Sequence, residues 1–324
     1  MLFRIASVRA ALACALLVVS SHGALAQEWP SRPIKLITPA APGGTTDILA
    51  RVFSAKLGEV LKQPVVVENR ASASGVIAGE MVAGAPPDGH TLLLAYHQHT
   101  VNQALGAKLP YHSVNSFTPI SQLTTAGLLL VVHPSSPAKN LAEFMEWTKG
   151  FRSGLNFGSA GLGSGGHMAG ELFKQMAGVK AEHIPYKGSG PAMQDLVGGV
   201  YHYNFAGMQA AQTLVRAGKL RAIAVTNPKR VPALPDIPAM AEAIPGFEVV
   251  GWYGILGPAN MPRPIVARLH EELVRILKQP DVHDRIVSDG SEPVGSAPEE
   301  FRQFMHADLA KWAKVAKESG AKLD

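Results

Sequence analysis

The feature that most constrains this chain is a recurring device: a short apolar run, a turn rich in glycine or proline, then apolar residues at helical spacing. Residues 34–38 read as a buried strand, and Ile48, Leu49, Val52, Phe53, Leu57, Val60 and Leu61 follow with the period of a helix. Residues 64–67 are β-branched and strand-like, 76–83 helical, and 91–95 a further strand. A second set begins at 128–132, where Asn140 and Glu143 form a capping-box-like start for a helix over 141–149. Strands are then predicted at 155–158, 183–186, 201–205 and 220–225, and helices at 166–176, 191–197 and 209–217. Strands alternating with helices specify βαβ units and a mostly parallel sheet. The tail differs, with a strand-like 247–256 and a helix from Pro264 carrying Ile265, Leu269, Leu273 and Ile276. A last helix starts near Ser296 and Pro298 and stops at Gly320. Two α/β sets and a helical tail imply two lobes with a groove between them, and the long segments 117–132 and 247–257 are suited to cross from one to the other.

The first residues stand apart. Arg4 and Arg9 precede an apolar run over 10–19, and Ala24-Leu25-Ala26 supplies a small-residue cleavage site before Gln27. The run falls short of the roughly 20 residues that span a bilayer, so an export signal over residues 1–26 is expected rather than an anchor. Cys14, the only cysteine, lies inside it, and Ala11 stands where a lipobox has leucine. Removing the signal lowers the formal net charge from +5 to +3 and leaves a cysteine-free exported chain, stabilised by its core, with a periplasmic address. Lys and Arg form no stripe or cluster, which excludes nucleic acid as a partner.

Two loops carry the chemistry. In the first, Pro42-Gly43-Gly44 leads into a helix capped by Thr45 or Thr46, with Asp47 in its first turn. Unpaired N–H groups at such a start favour anions, while a plain tight turn capped by Asp47 stays open as the alternative. The second, from Phe157 to His167, repeats the device, and Gly161, Gly163 and Gly166 satisfy G-x-G-x-x-G. A dinucleotide site wants an acid at the end of the next strand; here Glu182 precedes that strand, which ends in Tyr186 and Lys187. Two anion-friendly helix starts, one per lobe, can grip a carboxylate from both sides.

Tyr96 and His97 fall at the carboxyl end of a strand, where α/β sheets bind ligands. His97 and His99 have no third ligand at helical spacing, so no metal is expected. Strand alternation puts Tyr201, Tyr203 and Phe205 on one face and His202 and Asn204 on the other. There is no G-x-S-x-G elbow, cysteine nucleophile or P-loop. A pairing of Ser159 or Ser164 with His167 as nucleophile and base is weakened by the place of His167 at a helix start, where the dipole disfavours an imidazolium. No catalytic residue and no cofactor is expected.

At these residues the chain resembles the Bug-type solute-binding proteins of tripartite tricarboxylate transporters. The matching motifs run in order along the mature chain. They are Trp29-Pro30-Ser31-Arg32-Pro33-Ile34, Ala41-Pro42-Gly43-Gly44 with Thr46-Asp47, Val67-Glu68-Asn69-Arg70, Pro87-Asp88-Gly89, and Gly158-Ser159-Ala160-Gly161 with His167. Pro185-Tyr186-Lys187-Gly188, Leu234-Pro235-Asp236-Ile237-Pro238 and Glu292-Pro293-Val294-Gly295 complete the series. The resemblance implies an α/β, two-lobed periplasmic-binding-protein fold of type II, a Venus flytrap, that hands carboxylates to a membrane permease. It also implies that loops like 42–47 and 159–167 hold the carboxylate through backbone N–H groups and bridging water. Three segments depart from the family pattern: Ala71-Ser72-Ala73-Ser74-Gly75, Tyr96-His97-Gln98-His99, and Ala206, where many relatives have an aspartate. Losing that carboxylate argues against an amino-acid ligand, whose ammonium would want a partner.

The expected site is therefore Gly43, Gly44, Thr45, Thr46, Asp47, Tyr96, His97, Ser159, Ala160, Gly161, Ser164, His167, Phe205 and Ala206. Lobe one is expected to be residues 27–125 plus 251–324, and lobe two 126–250. The expected partners of this monomer are a small organic acid, aromatic or dicarboxylic, and the membrane subunits of a transporter. An extracytoplasmic sensor presenting the bound acid to a receptor kinase is the alternative.

Overall fold

The first strand, β1 (Ile34–Thr38), buries all but Lys35, as a strand covered on both faces must. In a computed structural model the chain is described over residues 29–320 and 322, apart from 40–41, 43–44, 73–74, 152–153, 187 and 289. The expected export signal over residues 1–26, and Gly43 and Gly44, lie outside the described residues. Strand β1 runs parallel to β2 (Val65–Asn69) and to β3 (Thr91–Tyr96). Helix α1 (Thr45–Leu61) lies over them because Leu49, Ala50, Phe53, Leu57 and Leu61 recur on one face and share a core with Ile34, Leu36 and Leu92. Helix α2 (Val76–Ala83) covers the sheet through Ala78 and Val82. A short helix, α3 (Gln98–Ala104), follows β3 where no element was expected.

The lobes meet on β4 (Phe117–Val132). This 16-residue strand pairs antiparallel with β9 (Val250–Pro258) as far as Gly127, and with β7 (Tyr203–Gly207) from Leu128 onward. It therefore belongs to both sheets. The lobe-one sheet runs β2-β1-β3-β9-β4, with β10 (Ser291–Pro293) also on β4. The lobe-two sheet runs β4-β7-β5-β6, where β5 (Leu155–Ser159) is parallel to β6 (Ala181–Pro185) and β7, and β8 (Arg221–Val225) pairs β4. The expected mostly parallel sheet is thus mixed. A chain that crosses to the second lobe on β4 and returns on β9 must lay those two strands in opposite directions.

Lobe two is completed by α4 (Leu141–Gly150), α5 (Gly165–Ala177), α6 (Ser189–Val197) and α7 (Met208–Arg216). Asn140 caps α4 by accepting from the Glu143 N–H at 3.0 Å, as its spacing predicted. The last strand before α7 begins two residues later than expected. Tyr201 and His202 sit in a bend, where Tyr201 Oη donates to the Ala192 carbonyl and His202 Nδ1 accepts from Asn156 N–H. Tyr203 and Phe205 share a core with Phe144, Phe157 and Phe173, but Tyr201 packs in a different cluster with Met193 and Leu196. The single face predicted for all three aromatics is corrected by that bend.

Helices α8 (Arg263–Leu277) and α9 (Pro280–Ser288) back lobe one, and α10 (Pro298–Ser319) spans both bodies. Phe301 and Met305 of α10 join Ile37, Val82 and Trp252 in lobe one, whereas Trp312 and Val315 join Phe157, Met168 and Phe173 in lobe two. Between them Asp308 is buried, its carboxyl accepting from Trp252 Nε1 at 3.0 Å and Trp312 Nε1 at 2.8 Å and bonded to Thr100 Oγ1. Thr226 ties the two crossing strands: it accepts from Leu128 N–H at 2.7 Å, donates through Oγ1 to the Val249 carbonyl, and bonds both residues again through its own backbone. Among the described residues no helix is long and apolar enough to cross a membrane.

Candidate functional site

A cavity of about 430 Å³ lies between the lobes, lined from lobe one by Thr46, Tyr96, His97 and Tyr253 and from lobe two by Ala160, Ser164, Gly165, Gly166 and Ala206. A second compartment of about 260 Å³ continues from it past Met193 and Met208 to Gly251 and Ser291. A depression of about 660 Å³ opens elsewhere on lobe one, beside Arg263, His270 and Arg302; it is larger, yet none of the loop residues lines it.

The lobe-one wall is built on the start of α1. Thr46 is buried and hydrogen-bonded to Tyr253, whose ring stacks on Tyr96 with centroids 6.3 Å apart. Asp47 points away from the cavity, and its carboxylate receives Arg51 Nε and Asn69 Nδ2, each at 2.9 Å. Burial pushes the Tyr253 phenol up to about 12 and raises that of Tyr96. It pushes His97 down to about 4, so this imidazole is neutral at neutral pH. The buried Nε2 of His97 has no hydrogen-bond partner among the described residues.

The lobe-two wall is the loop from Ser159 into α5. Gly161 and Gly163 have φ of +129° and +72°, conformations that side chains resist. Ser164 caps the helix, its Oγ accepting from His167 N–H at 3.3 Å. Gly165 and Gly166 occupy the first two helical positions, where N–H groups have no acceptor inside the helix. Gly166 must be glycine because a Cβ there would stand 2.6 Å from the Phe205 carbonyl oxygen. Behind this wall Ser159 Oγ lies 2.6 Å from His183 Nε2, and the rings of His167 and His183 stack at 4.1 Å.

Of the residues expected from sequence, Thr46, Tyr96, His97, Ala160, Ser164, Phe205 and Ala206 line the cavity. Asp47, Ser159, Gly161 and His167 stand behind the lining, where they shape the two loops. Thr45 opens α1, and Gly43 and Gly44 fall outside the described residues. Gln98, Leu128, Ser189, Met193, Asn204 and Tyr253 also line the cavity but were not anticipated. For Ser189 a signal existed, since Gly188 precedes it at another strand-to-helix turn.

The Ser159–His183 contact was not anticipated either. Burial, then His167 and Lys174, push His183 down to about 3, far too weak a base to activate a hydroxyl at neutral pH. Among the described residues no group of three or more His, Cys, Asp or Glu is placed to hold a metal. What the arrangement offers is neutral side chains and two helix starts on opposite walls of one cavity, which suits an anion.

Comparison with known proteins agrees. Residues 49–321 match the profile described as tripartite tricarboxylate transporter family receptor. The chain is 36% identical over 301 residues to Protein BugT of Bordetella pertussis, covering 92% of each. Two solved structures resemble it at TM-scores of 0.79 and 0.74, both 35% identical: R. palustris Rpa4515 with adipate, and MatC (Rpa3494) from Rhodopseudomonas palustris with bound malate. They cover 91% and 89% of this chain and 100% and 99% of their own.

Proposed function

The chain belongs to the receptor family of the tripartite tricarboxylate transporters, and on that premise we propose that it captures a small carboxylate between its lobes for delivery to transporter membrane subunits. The observation that carries this reading is the pair of helix starts on opposite walls of one cavity, Thr46 at α1 and Ser164–Gly166 at α5. Each brings N–H groups and the positive end of a helix dipole to one anion. Without residues 1–26 the chain carries a formal net charge of only +3, with no cluster of Lys or Arg, so the attraction is local. The acid is aromatic or dicarboxylic: Ala206 brings no carboxylate for an ammonium group, and Tyr96 and Tyr253 offer ring faces. The adipate and malate held by the two relatives support the class.

The protein works in the periplasm after loss of residues 1–26 and performs no chemistry on its ligand. The two bodies are residues 27–125 plus 251–324 and residues 126–250, with the end of α10 from Trp312 seated on the second, and closure follows from a ligand that binds the closed form better. Thermal-shift and calorimetric screening of organic acids tests the reading. A ligand at a hundred times its Kd adds about 2.7 kcal/mol of stability. If no mono-, di- or tricarboxylate, aromatic or aliphatic, raises the unfolding temperature, the reading fails.

A further inference from the structure

Behind the lobe-two wall lie two histidines, His167 buried and His183 half-buried, whose rings do not line the cavity but bond to the loop that does. His167 Nδ1 accepts from Gly163 N–H at 3.0 Å, so its ring proton is on Nε2. Ser159 Oγ accepts from Gly161 N–H at 3.1 Å and lies 3.0 Å from the Gly161 carbonyl. A hydroxyl proton given to that carbonyl leaves His183 Nε2–H to donate to Oγ at 2.6 Å. The two rings then stack face to face at 4.1 Å with a 20° tilt, and Phe157 stacks on the far side of His183 at 4.9 Å. Ser164 N–H goes to the Gly161 carbonyl and His167 N–H to Ser164 Oγ. The N–H groups of Gly161, Gly163, Ser164 and His167 are thus used within the loop. Those of Gly165 and Gly166, on the cavity wall, are not used inside the helix.

We infer that His167 and His183 are positioning residues for the anion: an uncharged, stacked imidazole pair that fixes the 159–165 loop so that the Gly165 and Gly166 N–H groups face the cavity. This rests on the carboxylate reading of the groove and assigns the rigidity of its lobe-two half to specific nitrogen atoms. The pair works only when uncharged. A proton on His167 Nδ1 would set N–H against the Gly163 N–H, and two charged rings in contact would repel. Burial and Lys174 hold both rings in the neutral form, at about 4 for His167 and about 3 for His183.

The two roles use different ring atoms, and that gives an experiment a purely space-filling role would not answer. Asparagine places its amide near the Nδ1 position of histidine and glutamine near Nε2. His167→Asn should keep the bond to Gly163, and His167→Gln should lose it. At the partner position His183→Gln should keep the bond to Ser159, and His183→Asn should lose it. In the full mature chain, amide exchange at Gly161 and Gly163 and affinity for two probes, benzoate and adipate, are measured for all four variants. The retaining variants should stay within about threefold of the parent, and the losing ones should exchange faster and bind about tenfold more weakly, as expected for one hydrogen bond. Losses equal within each pair, no losses, or the reverse order overturn the inference. So does a ring-nitrogen NMR spectrum of the parent protein that puts a proton on His167 Nδ1, a result that needs no variant to fold. If neither probe binds the parent, the carboxylate reading fails for those acids, while exchange at Gly161 and Gly163 still decides the positioning role.

Discussion

The two walls of the groove do the same task with different chemistry. In lobe one the start of α1 is held by a charge: Asp47, 3% exposed, ties the first turn to Arg51 and to Asn69 on β2. In lobe two the start of α5 is held by neutral groups, the Ser159 hydroxyl and the His167 and His183 rings. The difference shows how a negative charge can stand beside the proposed anion site. Asp47 turns its carboxylate away from the cavity and spends it on a guanidinium and an amide. Lobe two avoids the problem by bonding its loop through uncharged groups.

The largest effect expected from disturbing this contrast is where α5 begins against the Phe205 backbone. Gly166→Ala drives a methyl to 2.6 Å from the Phe205 carbonyl, and overpacking of this kind costs roughly 1–3 kcal/mol. A change in lobe one, Gly58→Ala, meets only ordinary contacts, the Gln63 carbonyl at 3.5 Å and the Val65 nitrogen at 3.8 Å, and should stabilise α1 by up to about 1 kcal/mol. Urea denaturation of both variants checks the opposite signs. Next comes Asp47→Ala, which leaves the Asn69 amide without that acceptor and should cost roughly 1–2 kcal/mol by the same measurement.

Acid should weaken lobe two in a defined window. His167 and His183 take up protons near 6.5 in the unfolded chain but resist to about 4 and about 3 in the folded one. The unfolded state therefore binds more protons below 6.5, so stability is full above that pH and falls as pH drops toward about 4. His97 and His99 of lobe one, also held at about 4, add the same sign. A His183→Gln protein should show a shallower fall in urea midpoint over the window. The smallest effect belongs to salt. The Arg51 side chain is 58% exposed, so removing its pair with Asp47 by Arg51→Ala, or screening that pair with salt, should change stability by less than about 1 kcal/mol.

Much of the architecture was legible because burial follows a period. The apolar spacing from Ile48 to Leu61 marked α1, and the glycine-rich turns before α1 and α5 marked the two walls. Helix α3 was not legible because it buries His99, Thr100 and Asn102 beside Val101, which inverts the hydropathy signal, and it has only seven residues. The direction of β4 relative to β9 depends on where the chain crosses between lobes, which no local pattern encodes. His183 escaped notice because it is 24 residues from Ser159, and only the parallel register of β5 and β6, pairing Phe157 with His183, brings them together. Tyr253 and Leu128 reach the cavity for the same reason, as parts of the two crossing strands.

The carboxyl of Asp308 has a consequence for how the molecule can be watched. It joins the indole nitrogens of Trp252, on a crossing strand, and Trp312, on the part of α10 that packs into lobe two. These are two of only four tryptophans in the chain, and they share one buried acid just behind the groove. Any rotation of the bodies that shifts α10 against β9 alters the field on both chromophores at once. The protein thus carries an internal optical gauge, and its near-ultraviolet emission should report the proposed opening and shutting of the jaws in real time without a label.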